Sequence, residues 1–162
     1  MILLAVSVVI FLFTSLFSIS RKWIVGVDFW AVCGSVFASV LGFISACIVL
    51  VSGTHEYWTI PWNIPYGKLT LALDPLASFF LIPLFVMSGV CVVYGYYYFK
   101  YSSSSLNTGF FFNLLVASLI VVFIARNSIL FLVAWELMSV TSFFLVVANH
   151  NDSGTCRAGF IY

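Results

Sequence analysis

The stretch that decides the fold is NSILFLVAWELMSVTSFFLVVA, residues 127–148. It is a nearly uninterrupted apolar run, and about 20 such residues are enough for a helix to cross a bilayer. One formal charge, Glu136, lies inside it. A carboxylate near the middle of a lipid-spanning helix is costly to keep, so Glu136 is a candidate functional group, and the first question is what it pairs with.

The rest of the chain has the same character. Hydrophobic residues make up 64% of it and charged residues 7%, with a mean hydropathy of +1.19. That is too little polar surface to cover a soluble globule, and the apolar residues come in long runs, so the fold class is an all-α integral membrane protein. The net charge is +1 and the six Lys and Arg are scattered, which excludes a basic patch for nucleic acid. Cys33, Cys47, Cys91 and Cys156 have no CxxC or Cys/His spacing, so neither a disulfide framework nor a metal site is indicated, and they read as small packing residues. The apolar N-terminus is followed, not preceded, by Arg21 and Lys22, which is the reverse of a cleavable signal and reads as a retained helix.

In chain order, spans are expected at about 2–19, 30–51, 76–99, 109–125 and 128–148, with residues 155–162 starting a sixth. In the second, Gly34, Ala38, Gly42 and Ala46 recur every four residues, putting small side chains on one face where a neighbouring backbone can approach closely. The polar connection 52–75 holds Tyr57, Trp58, Trp62 and Tyr66, which suit a membrane-water interface. Its His55-Glu56 pair lacks further ligands and reads as a solvated loop pair. The alternation of Lys68, Thr70 and Ala72 with Leu69, Leu71 and Leu73 predicts a short surface strand before the third helix. Asp74-Pro75 reads as the start of that helix, Asp accepting from free backbone N–H groups and Pro fitting the first helical position. Pro83 is expected to kink it. The tyrosines and Lys100 near its end form an aromatic belt, and Ser102 to Ser105 a plain turn.

Only Arg126 and Asn127 separate the fourth and fifth spans, which predicts a tight antiparallel hairpin. Ser118 and Glu136 each lie nine residues from Asn127 (127 − 118 and 136 − 127). At about 1.5 Å per residue, both sit about 13 Å from the turn, at one depth. Ser139, three residues after Glu136, shares its side of the helix. Ser118 and Ser139 are therefore the candidate hydrogen-bond partners of the carboxyl group.

With five spans and the N-terminus outside, Arg21, Lys22, Lys100 and Arg157 fall inside and Lys68 and Arg126 outside, four against two, which favours that orientation. The final TCRAGFIY, residues 155–162, ends after about two turns of what reads as another helix, as expected of a truncated or split product or the first part of a longer protein.

LALDPLASFF at 71–80, NLLVASLIVVFIARNSILFLVAWELMSVTSFFLVV at 113–147 and RAGFIY at 157–162 resemble the N-terminal part of the antiporter-like membrane subunits. These occur in respiratory complex I, Mrp-type sodium/proton antiporters and membrane-bound hydrogenases. AWELMS, with ARN nine residues earlier, resembles most the large subunit of the hydrogenase-4 and formate hydrogenlyase group. The motifs cover about residues 66–162. Where complex I proteins often place an acidic residue before the fifth helix, this chain has Arg126-Asn127.

The resemblance implies that Glu136 is the carboxylate that pairs with a lysine on a later helix and relays protons. It also implies other membrane subunits as partners, including a C-terminal half of this subunit, redox cofactors held by those subunits with none in this chain, and an energy-transducing membrane, bacterial or archaeal rather than mitochondrial. Burial disfavours the ionised form of such a group and a nearby cation favours it, so a lysine moving nearer or farther would switch it between releasing and taking up a proton. Three readings stand: a proton-translocating subunit of a hydrogenase-type or NADH:quinone oxidoreductase-type complex, an Mrp-type antiporter subunit, and a purely structural subunit in which protonated Glu136 only holds helices together.

Overall fold

The computed structural model describes residues 1–19, 27–61, 68–101, 108–147 and 159. The elements run α1 (Ile2–Ile19), α2 (Val27–Ser52), β1 (Glu56–Ile60), β2 (Leu69–Leu73), α3 (Pro75–Tyr101), α4 (Thr108–Ile124) and α5 (Ser128–Val146). Among the described residues three helices are long and apolar enough to cross a membrane, over Phe29–Ser52, Pro75–Tyr98 and Ser128–Val146; α1 and α4 hold shorter apolar helices. The protein is an all-α membrane protein with one small sheet. Arg21, Lys22, the side chain of Lys100, Arg157, Trp62, Tyr66, Ser102 to Ser105, Cys156 and, apart from Gly159, the expected sixth helix lie outside the described residues.

Packing is built on α2, which lies against both α1 and α3, while α4 packs on α1, α3 and α5. The every-fourth small residues of α2 are the reason it can. Ala38 and Ala46 are fully buried. A Cβ on Gly34 would lie 2.6 Å from Thr14 Cγ2 of α1, and one on Gly42 would lie 2.2 Å from Phe85 Cζ of α3. The helix therefore meets two neighbours along one small-residue row. Phe11, Leu73, Leu81, Phe85 and Ile120 fill the centre of the core, to which α5 contributes no side chain.

Several expectations are refined or corrected. The strand before α3 is not alone: EYWTI, rich in aromatic and β-branched residues that favour strands, forms β1 and pairs antiparallel with β2, with Trp58 opposite Leu71. Nor is β2 wholly a surface strand, since Ala72 and Leu73 at its end are buried. His55 is exposed as expected of a loop pair, but Glu56 opens β1 and makes an ion pair with the Met1 amino group. Cys33 and Cys91 are exposed instead of packed. Pro83 lies inside the third helix, on an exposed side.

Candidate functional site

Glu136 lies on the uncovered side of α5. Residues 129, 133, 136, 140 and 143 follow one another at helical spacings of three and four, and 132 lies three after 129 and four before 136, which aligns them on one face. Their apolar members Ile129, Leu132, Val133, Val140 and Phe143 are all exposed, as is Glu136. The opposite side carries the two buried residues of the helix, Ala134 and Thr141. Further along that side, Phe144 stacks on Phe111 of α4, ring centroids 4.7 Å apart.

The expected partners are not brought to the carboxyl group. Ser118 is buried and its hydroxyl donates to the Leu115 carbonyl at 2.7 Å. Ser139 is half-buried, and its backbone carbonyl accepts from Ser142. Among the described residues no hydrogen bond or ion pair joins Glu136 to either serine. Rotation separates the groups: Ser118 is buried in the bundle and Glu136 is exposed.

The turn before α5 is held more firmly than its two residues suggest. Asn127 caps the helix, its Oδ1 accepting from the Ile129 N–H at 2.8 Å, while its Nδ2 donates to the Lys68 carbonyl at 3.2 Å. The Arg126 N–H donates to the Thr70 carbonyl at 3.0 Å, and Ala125 bridges to Leu71. The Arg126 guanidinium pairs with Asp74 Oδ2. Asp74 also caps α3 as expected, its Oδ1 accepting from the Ala77 N–H at 2.9 Å. Burial pushes the Asp74 carboxyl up, but the Ala77 N–H and the Arg126 guanidinium outweigh it and hold it below its ordinary 3.8. A carboxyl lowered on folding stabilises the fold above its unfolded value, and that stabilisation is lost as pH falls through the lowered folded value. Asp74→Ala is therefore expected to cost about 1 kcal/mol at pH 7, mostly through the cap. Asp74→Asn, which keeps a cap acceptor, should cost less. In thermal unfolding in detergent, the gap between wild type and Asp74→Asn should close below about pH 4.

A second polar feature was not foreseen. Thr14 of α1, Ser35 of α2 and Asn113 of α4, all buried, form a knot in which Ser35 Oγ lies 3.1 Å from Asn113 Oδ1 and 3.2 Å from Thr14 Oγ1, and Asn113 Nδ2 donates to Thr14 Oγ1 at 3.2 Å. Ser39 of α2 meets Ser88 of α3 at 2.9 Å, and Ser7 of α1 donates to the Ala38 carbonyl at 2.8 Å. The signal was present in Asn113, the one amide inside its span, and in Ser35 and Ser39, one turn apart on α2. Such groups in an apolar helix seek partners on neighbouring helices.

No family model matches the chain. It is 30% identical over 168 residues to hydrogenase-4 component B of Escherichia coli (strain K12). The chain is a homologue of that protein. The match takes in 99% of this chain and 24% of hydrogenase-4 component B, so the chain spans about a quarter of that protein's length. The homology extends the resemblance to the hydrogenase-4 group through residues 1–65, where the sequence offered only apolar spans. The α5 stripe, the clasped turn and the buried knot thus all lie within the stretch shared with hydrogenase-4 component B.

Proposed function

We propose that this chain is the N-terminal part of a proton-translocating, antiporter-like membrane subunit in a hydrogenase-type complex, with Glu136 in its proton relay. The observation that carries the reading is the position of Glu136: a lone carboxylate in an exposed apolar stripe, unpaired within its own bundle among the described residues. A charge so placed is tolerable in a membrane only beside a cation or with a proton bound. Both conditions fit a group that exchanges a proton as a cation from another helix approaches and withdraws. The absence of a hydrogen bond from Glu136 to Ser118 or Ser139 among the described residues speaks against a merely structural role in which the protonated carboxyl ties α5 to α4. The homology to hydrogenase-4 component B supports a hydrogenase-type complex as the setting; redox cofactors on other subunits, five spans and the N-terminus outside belong to the same proposal.

The test is Glu136→Gln in the assembled complex, with proton movement and electron transfer measured side by side. Removal of the titrating group should lower the rate of proton translocation by about a hundredfold or more, the scale on which positioned acid-base groups contribute, while the complex still assembles and transfers electrons. Unchanged translocation in an intact complex would sink the relay role. Full exchange activity in the subunit without any redox partner would favour the Mrp-type reading.

A further inference from the structure

α5 is the least covered of the three long spans. Only Ala134 and Thr141 are buried on it, and it adds nothing to the central core. A helix held by so narrow a seam is weakly fixed in rotation by side-chain packing alone. Its first turn, in contrast, is tied to β2 and α3 at several points. Arg126 pairs with Asp74 and donates its N–H to Thr70, and Asn127 reaches Lys68 while capping the helix. A rotation of one residue, about 100°, would turn the carboxyl group of residue 136 from its present direction to the one that Trp135 or Leu137, both exposed, now takes.

We propose that Arg126, held by Asp74, is a positioning residue for Glu136: the clasp between strand β2, the start of α3 and the α4–α5 turn fixes the rotation of α5 and so sets the direction in which the carboxyl group faces. The functional meaning rests on the relay reading of Glu136, but the geometry can be tested without it. Asp74 links the two ends of the device. One carboxylate oxygen starts α3 and the other fixes the guanidinium beside the start of α5, so the outer hairpin and the Glu136-bearing helix move as one body.

The experiment places spin labels at Leu137 on α5 and Phe37 on α2, both exposed, in this chain with its four cysteines replaced by Ala, reconstituted in lipid. Side chains lie about 5 Å from the helix axis, so loss of rotational control should shift or broaden the label-to-label distance by about 5 Å. That change is expected in Arg126→Ala and in Asp74→Asn, which keeps the α3 cap and so keeps the helix start. Arg126→Lys should restore the wild-type distribution. An unchanged distribution in both Arg126→Ala and Asp74→Asn overturns the proposal. If the distance moves in those variants while Glu136→Gln leaves proton translocation intact, the positioning stands and the relay reading falls.

Discussion

Gly42→Val is expected to destabilise the bundle by about 3 kcal/mol, read as a lower midpoint of thermal or detergent-induced unfolding of the purified protein. A Cβ at this position would lie 2.2, 2.3 and 2.7 Å from three ring atoms of Phe85. The ring is the end of a side chain that could swing in an open site, but Phe85 is 1% exposed and the flanking Ala38 and Ala46 are fully buried. The clash must therefore be met by moving α2 away from α3. In lipid that separation is especially damaging, because no hydrophobic drive pulls the helices back together and close van der Waals contact is what joins them. Phe85→Leu alone should also destabilise, by leaving space at the ring's position. Combined with Gly42→Ala, the smaller Leu should recover part of the loss. A strictly additive double variant would show that the two residues do not meet.

The closeness of α2 to its neighbours was readable in the sequence because a period of four maps directly onto a helix face. Asp74 was equally readable, since a cap is a contact between residues three apart. What escaped depends on contacts far apart in the chain. Arg126 reads locally as a charge beside a membrane span, and nothing nearby signals that its partner is 52 residues earlier. β1 was hidden because its aromatic residues fit a membrane interface as well as a strand. The site shows the same division. Depth follows from helical rise, so Ser118 and Glu136 could be placed at one level. Rotation follows from packing and from the clasp on the turn, and it sends the two side chains to opposite sides.

Asn113→Ala is expected to cost about 2 kcal/mol, by a route different from a clash. The substitution removes the 3.1 Å contact with Ser35 and the 3.2 Å bond to Thr14. Interhelical hydrogen bonds of this kind in membrane proteins average about 0.6 kcal/mol each, and the remainder comes from the space left in a packed interior. The loss is bounded because both hydroxyls keep acceptors on their own helices, Ser35 on the Ala31 carbonyl at 2.9 Å and Thr14 on the Phe11 carbonyl at 3.0 Å. Neither is left bare, so the penalty for a stranded buried donor does not arise. The same fallback makes a distinctive double-variant prediction. Once Ser35→Ala has removed the hydroxyl, Asn113→Ala should cost less than it does in the wild type, with a coupling of about 0.5 to 1 kcal/mol between the two sites. Equal costs in both backgrounds would mean that Ser35 spends its single proton on Ala31, and that Asn113 joins α4 to α1 through Thr14 alone.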